Sequence, residues 1–502
     1  MKSMKNLWII LVLGCIVTGA ASSALGCYAV VVGKEASADG SVLFGHNEQN
    51  GGRRMTNFRR IPRMKHAPGE VVTLRRGGTL PEVEETYAFL WSEMPGLEFC
   101  DAYMNEWGVA VSSDGCPTRE NFYEALVARG DITDGGIGYM LRRLIVQRAR
   151  TAREGVRIAG ELLERFGYCD SGRTLTIADP NEAWLLSNVR GKHWVAQRVP
   201  DDGVVLLPNV HIISEIDLND SVHFMGAPDI VEYATERGWF DPAKGEPFRF
   251  NAAYNRSMPE GGDPRRRRGQ SLVTGQVDGC GLGEAVCTFE IRNPKIERPV
   301  ANPLPFSVRP DRKLTVGDVA AILRYHGPTG TLCGASTQEA AVFQLRSGLP
   351  PEIGCVYWRN TAEPCCGVLT PWYAGITETP EAYYRPSDVR EALTLSHHFD
   401  PPAGTFDDDP RLVWWTFKAL QDWVNKDYAA SIKKVRAVWD DFEAKAFARQ
   451  PEMEKEALER FQKDPDLASV FLTKYSKDLA LRAVELSNRM IRELSGEVSD
   501  ER

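Results

Sequence analysis

Cys27-Tyr-Ala-Val-Val-Val-Gly-Lys-Glu-Ala-Ser-Ala-Asp-Gly-Ser-Val-Leu-Phe-Gly-His-Asn-Glu-Gln49 reads as two strands around a turn. Residues 28–32 are aromatic and β-branched, Ala38-Asp39-Gly40 is a turn former, and residues 41–45 resume the strand pattern, so the segment predicts a hairpin. Folding back carries His46, Asn47 and Glu48 to the level of Cys27. A hairpin with exposed polar ends and no further role would look the same. The residues just upstream distinguish this one: Ala24-Leu25-Gly26 form a leader cleavage site, behind Lys2 and Lys5, the apolar run Leu7 to Val17 and the small residues Gly19 to Ala24. Cleavage there would leave Cys27 first in the mature chain. Its thiolate is a nucleophile, and the freed α-amine, with an ordinary pKa of about 8, is a base on the same residue.

Export is therefore expected. The apolar run is broken by Gly14, Thr18 and Gly19 and falls short of the about 20 residues that span a bilayer, so no transmembrane anchor is expected. A rival reading makes Cys27 or Cys15 the acylated residue of a bacterial lipoprotein. Each follows Leu-Gly, but Val12 and Ala24 stand where such signals usually carry Leu.

The 502 residues are 43% hydrophobic and 25% charged, the composition of a globular protein with a large core. A formal net charge of -8 argues against a general nucleic-acid surface, which needs clustered Lys and Arg. The one basic run, Arg265-Arg266-Arg267-Arg268, reads in isolation as a solvated loop or as guanidiniums for a substrate carboxylate. Eleven cysteines are too sparse for a disulfide-stapled scaffold. With Cys15 and Cys27 set aside, Cys100, Cys116, Cys169, Cys280, Cys287, Cys333, Cys355, Cys365 and Cys366 remain, an odd set that leaves at least one unpaired or bonded between chains. No CxxC pair or HExxH occurs, so zinc is not expected. Adjacent His397 and His398 point apart on any regular element and read as structural.

Beyond the hairpin, Asn105-Glu106-Trp107-Gly108 turns into a strand at Val109 to Ser113, ending at Asp114-Gly115. Leu141, Leu144 and Ile145 share a helical face, and Thr151 with Glu154 resembles a capping box for a second helix bearing Val156, Ala159, Leu162, Leu163 and Phe166 before Gly167. Strands follow at Thr174 to Ala178, Ala183 to Ser187, His193 to Val199 and Val204 to Leu207, ahead of Pro208-Asn209. Antiparallel strands covered by segregated helices predict an α+β fold. Gly279-Cys280-Gly281-Leu282-Gly283 lacks both GxGxxG spacing and a P-loop lysine, which excludes nucleotide binding there. After residue 400, Trp414, Phe417, Leu420, Trp423, Val424, Ile432, Val435, Val438, Trp439 and Phe442 recur at helical spacing among charges. This predicts a helical tail, divided at Pro451 and Pro465, whose aromatics pack on the body or on a second subunit of a homo-oligomer.

Several of these segments together resemble a known family. Cys27 to Ser41, Asn105-Glu-Trp-Gly-Val-Ala, Ala152-Arg-Glu-Gly-Val156, Trp194-Val-Ala-Gln-Arg-Val-Pro-Asp-Asp202, Glu215-Ile-Asp217, Leu304-Pro-Phe-Ser-Val308, Gln344-Leu-Arg346 and Pro371-Trp-Tyr-Ala-Gly-Ile-Thr377 look like the C69 (formerly U34) dipeptidases, relatives of secernins, penicillin V acylase and bile salt hydrolase. The resemblance spans Cys27 to about Tyr384. It implies an N-terminal nucleophile (Ntn) hydrolase with an αββα sandwich over residues 27–400, a leader over 1–26 and a helical extension over 401–502. The implied activity is cleavage of dipeptides, or of another small amide, without metal or organic cofactor. Cys27 maps to the nucleophile and Asn209 to an oxyanion-holding Asn, although a turn-stabilising side chain beside Pro208 is an equal reading.

One place departs from the pattern. His46-Asn47-Glu48-Gln49 stands where these dipeptidases commonly have Arg-Asn-Glu-Asp. His46 can lower the thiol pKa only when protonated, and Gln49 can meet a substrate amine only as a neutral acceptor. Glu48 is the substitute for the lost negative charge. The run 265–268 lies about where relatives carry another active-site Arg, with no motif to choose among the four; Arg268 stands for it as the carboxylate binder. An N-acyl amidase of the same fold, and a lipid-anchored envelope protein without catalysis, are the competing functions.

Overall fold

The computed structural model describes residues 26–51, 53–120, 122–257, 262–275, 304–327 and 330–496. The leader before Gly26, the segment Gly279 to Gly283 and Cys287 lie outside these residues. The strands that matter are β1 (Tyr28–Val32), β2 (Val42–Gln49), β3 (Asn57–Ile61), β4 (Phe89–Glu93), β5 (Ala102–Asn105), β6 (Ala110–Gly115), β7 (Arg173–Ala178), β8 (Ala183–Asn188), β9 (Trp194–Arg198), β10 (Val204–Leu207), β11 (Phe224–Gly226), β12 (Thr337–Leu345), β13 (Cys355–Thr361) and β14 (Thr370–Tyr373). They form a six-stranded sheet in the order β10-β1-β2-β12-β13-β14 and an eight-stranded sheet in the order β11-β9-β8-β7-β6-β5-β4-β3. The pairings within both are antiparallel.

The predicted hairpin is β1–β2, with Ala29 opposite His46. Strand alternation then sends Ala29, Val31 and Phe44 to one face, where they share a core with Met104, Ala110, Leu185 and Val195 of the other sheet. The far face of the eight-stranded sheet, with Val111, Ile177 and Trp184, buries Leu144, Ile145, Val156 and Leu163 of helices α1 (Met140–Arg148) and α2 (Ala152–Phe166). The far face of the six-stranded sheet is covered by α3 (Pro264–Thr274) and α4 (Val316–Leu323), and Asn47 Nδ2 donates to Leu323 O there at 2.9 Å. The layers are thus helix, sheet, sheet, helix, the expected αββα arrangement of an α+β fold. Thr151 caps α2, its hydroxyl accepting the Glu154 N–H at 3.1 Å. Glu154 reaches back to the Arg150 N–H rather than to that of Thr151, so half of the expected capping box is formed.

The C-terminal helices are α5 (Val413–Lys426), α6 (Tyr428–Phe461) and α7 (Pro465–Ser495). Phe417, Leu420, Ile432, Val435 and Trp439 join the same hydrophobic cluster as the two sheets, so the tail packs on the body without a core of its own. A buried ion pair, Arg324 with Glu443, and a partly buried one, Arg346 with Glu454, fasten α6 to it. Pro465 begins α7 behind the cap Asp464, as expected of a Pro at a first helical position. Pro451 does not divide the tail, because α6 runs through it. Gln450, Met453, Glu454 and Ala457 are buried on either side, and that packing outweighs the lost backbone hydrogen bond.

Among the described residues no helix is long and apolar enough to cross a membrane. The described cysteines are all free thiols. His397 and His398 point apart: His398 is buried between Glu93 and the Leu97 carbonyl, while His397 faces Glu391.

Candidate active site

The sheet register builds this site. In β1–β2, Ala29 faces His46, and in β1–β10 it faces Leu207. Continuing each ladder by two residues sets Glu48 on one side of Cys27 and Asn209 on the other. Contacts agree with that extrapolation. The Cys27 thiol donates to Glu48 Oε1 at 3.0 Å, and the main-chain N–H of Gln49 points at Sγ at 3.5 Å. A Cβ on Gly26, the residue before Cys27, would fall 2.1 Å from Asn209 Oδ1, so any larger residue would displace the Asn209 side chain.

His46 and Glu48 share one face of β2, since they are two residues apart. His46 Nδ1 lies 3.1 Å from Ser112 Oγ and 3.9 Å from Glu48 Oε2, and its Nε2 is 3.6 Å from Asp114 Oδ2. The last distance makes an ion pair without a hydrogen bond. Ser112 and Asp114 alternate on β6, which delivers both across the gap between the sheets. Glu48 Oε1 also accepts from Asn50 Nδ2 at 2.6 Å. Glu48 Oε2 and both Asp114 oxygens are buried with no hydrogen-bond donor.

This acidic enclosure sets the titrations. Burial, then the fields of Glu48 and Asp114, push the Cys27 thiol well above its usual range, opposed by the Gln49 N–H. Burial raises Glu48 as well. Burial opposes a charged His46, yet Asp114 and Glu48 outweigh it and raise the imidazole, so His46 favours its protonated form more than a free histidine does.

Of the arginine run, Arg265 stands at Cys27. Asp263 caps α3 by accepting the Arg265 N–H at 2.8 Å, and Pro264 takes the first helical position. Gly269 lets the helix lie against β1: a Cβ there would meet the Tyr28 hydroxyl oxygen at 2.1 Å. The guanidinium then donates from Nη1 to Gly26 O at 2.8 Å and Cys27 O at 3.3 Å, and from Nη2 to Asn209 Oδ1 at 3.0 Å. The last bond leaves the Asn209 amide nitrogen as its free end. Arg268 stands elsewhere, 1% exposed, with its guanidinium over the Tyr325 ring. Gln49 faces away from Cys27, its side chain donating to Leu332 O at 2.9 Å. Arg173 stands behind Gly115 and over the Phe99 ring.

A thiol, a carboxylate pair, an imidazole and an Arg-oriented amide around one buried sulfur match nucleophilic amide chemistry. Residues 26–332, a span that begins one residue before Cys27, match Peptidase family C69. The chain belongs to this family. Among relatives, a "Probable dipeptidase" of Salmonella dublin is 27% identical over 397 residues, covering 74% of this chain and 86% of that protein. A "Dipeptidase" of Bifidobacterium longum is 28% identical over 411 residues, covering 73% and 74%. Among solved structures, a mutant conjugated bile acid hydrolase from Clostridium perfringens overlaps 67% of this chain and 89% of its own at 12% identity and a TM-score of 0.32, an overlap too loose to inform the site.

In this C69 peptidase, sequence reasoning missed Asp114 and did not single out Arg265. Asp114 was legible only as the end of a strand, although its spacing from Ser112 placed both on one face. For Arg265 the signal was Asp263-Pro264, a cap and first-turn pair that makes the arginine run the start of a helix. The ligand atoms of Cys27, His46 and Glu48 also lie within 4.8 Å of one another, the composition of a soft-metal site. The thiol-to-carboxylate hydrogen bond and the N–H aimed at sulfur fit a protonated nucleophile equally well.

Proposed function

We propose that this chain is an exported cysteine dipeptidase that works once the residues before Cys27 have been removed. The observation that carries the reading is the pair of buried carboxylates, Glu48 and Asp114, with acceptor oxygens that no donor satisfies. A buried carboxylate oxygen without a hydrogen-bond donor is costly. Two cations fit there by chemistry: the α-ammonium of a freed Cys27 and the ammonium of an unblocked dipeptide. The Asp that these dipeptidases commonly carry at position 49 is thus replaced in charge, not in position. The leader and the names of the relatives support export and the substrate class.

With Gly26 attached, the thiol is raised by burial and then by the acidic enclosure, and has no amine beside it. Removing residue 26 adds a neutral α-amine at the carboxylates, which hold it as an ammonium once it has taken a proton, and frees the Arg265 Nη1 that holds Gly26 O. In the mature enzyme the α-amine takes the thiol proton as Sγ attacks the substrate carbonyl carbon. Asn209 Nδ2 donates to the developing oxyanion, a contribution of about 3 kcal/mol when such a donor is lost. The α-ammonium returns the proton to the leaving amine as the C–N bond breaks. Water then cleaves the thioester and restores the thiol.

The test has two parts. Intact mass and N-terminal sequencing of protein from its native envelope are expected to find an unmodified Cys27 first, and an acylated Cys27 would exclude the α-amine as base. Kinetics on matched substrates are expected to favour unblocked dipeptides over N-acyl amino acids. A steady preference for the blocked member would make this an N-acyl amidase.

A further inference from the structure

A second cluster of reactive side chains lies apart from Cys27 and has no part in the mechanism above. His326 follows α4, Cys333 comes seven residues later, and Glu363 and Cys365 lie in the link between β13 and β14. One ligand atom from each lies within 4.8 Å of the other three. His326 Nε2 is 3.8 Å from Glu363 Oε1, and that nitrogen is buried with no hydrogen-bond partner. Both cysteines are fully buried free thiols, and Glu363 is 2% exposed. Asn425 Nδ2, from α5, donates to Glu363 Oε2 at 2.8 Å, which turns the other oxygen toward the cluster. The His326 ring rests 5.2 Å from that of Tyr428, at the start of α6.

We propose that His326, Cys333, Glu363 and Cys365 bind one zinc ion. Two thiolates, an imidazole and a carboxylate make a four-donor set of the kind zinc takes tetrahedrally, and the sulfurs exclude calcium and magnesium. Without an ion the cluster buries a carboxylate against an orphaned ring nitrogen; with one, each is a ligand. Asn425 is then the outer partner that orients a ligating carboxylate. Binding displaces the Cys333 and Cys365 thiol protons to solvent and involves no oxidant. Four protein ligands close the coordination shell, so the ion is structural.

Its place gives it a task. Leu332, beside Cys333, accepts with one carbonyl from both Asn47 and Gln49, on the back of the strand that carries His46 and Glu48. The ion would hold that loop to the β13–β14 link and, through Asn425, to the C-terminal helices. The expectation of no zinc rested on the missing CxxC and HExxH spacings; here the ligands come as H-x6-C and E-x-C from distant segments.

Metal analysis of the purified mature chain, untagged and grown with zinc, is expected to find about one zinc per chain. Chelator competition is expected to show zinc bound about 100-fold more weakly in Cys365→Ser and His326→Ala, and about 10-fold more weakly in Asn425→Ala. Cobalt substitution of the wild type is expected to give thiolate-to-metal absorption that His326→Ala alters, a readout independent of peptidase activity and of whether Cys365→Ser folds. Wild-type protein without zinc that also fails to take up cobalt would overturn the proposal, as would a disulfide joining Cys333, Cys365 or Cys366 in peptide mapping. Zinc that survives His326→Ala but is lost in Cys27→Ala would move the ion to the nucleophile and overturn this site. Dipeptide hydrolysis by wild type that takes up neither zinc nor cobalt would overturn the zinc site alone, and an inactive protein with His326-dependent zinc would overturn only the proposed activity.

Discussion

Replacing Glu48 by Gln in a chain that still carries Gly26 tests the electrostatic account of the site. Glu48 Oε1 lies 3.0 Å from Cys27 Sγ, and both residues are buried. At that separation, with an effective dielectric constant of ~20, a full carboxylate opposes a thiolate by about 5 kcal/mol. That figure is a ceiling, because burial also raises Glu48 toward its neutral form. A quarter of the ceiling corresponds to about a tenfold change in the thiolate population. Glutamine keeps the shape and removes the charge, so alkylation of Cys27 by iodoacetamide near neutral pH is expected to quicken about tenfold. The Cys27→Ala chain supplies the background from the other thiols. An unchanged or slower rate would refute the claim that the Glu48 charge adds to burial in raising the thiol while Gly26 is attached. In the mature enzyme the effect on catalysis has the opposite sign: losing an ammonium partner is expected to lower kcat/KM for unblocked dipeptides more than for their N-acetylated forms.

Cys27→Ala is expected to abolish amide hydrolysis with the fold retained, and Cys27→Ser to leave weak activity, as circular dichroism and kinetics on correctly processed protein will show. Arg265→Gln is expected to lower kcat/KM about 100-fold, because Asn209 loses the donor that orients it, whereas Arg268→Gln is expected to lower Tm with a smaller effect on turnover. Thr151→Ala removes the cap of α2 and is expected to cost about 1 kcal/mol in urea unfolding. Burial favours a neutral Glu443, but Arg324, Arg436 and the Leu369 N–H hold its carboxyl below the usual range. Its stabilising contribution is therefore complete above about pH 4.3, the ordinary Glu value, and is lost as pH falls through the depressed folded-state pKa. Glu443→Gln is expected to cost about 3 kcal/mol at neutral pH and to flatten that acid limb in a denaturant series.

What the sequence made legible follows the range of the interactions. The β1–β2 hairpin, the paired helices α1 and α2 and the strands β7 to β10 are written in local alternation, caps and turn formers, and each stands within a residue or two of its expected place. Asn209 and Glu48 were also within reach, because their positions beside Cys27 follow from two antiparallel registers. Asp114 was not, because it arrives from the other sheet across the interior. The choice of Arg265 over Arg268 depends on where α3 starts and how closely Gly269 lets it approach β1. The passage of α6 through Pro451 depends on burial on both sides, which outweighs a local rule. The zinc ligands were hidden for the same reason as Asp114: their spacing along the chain says nothing until β13 and α4 are neighbours.

Strand β2 lies between β1 and β12, with Gln49 opposite Thr337 and Val42 opposite Leu345. The hairpin that bears Cys27 is synthesised well before its other neighbour, which follows some 288 residues later, the interval between positions 49 and 337. Pairings so distant in sequence form late, because a long loop must close before the contact repays it. During synthesis the thiol therefore belongs to an unfinished sheet edge, with Asn209 and Arg265 still to come. A half-made chain holds Cys27 without the side chains that enclose it in the finished sheet.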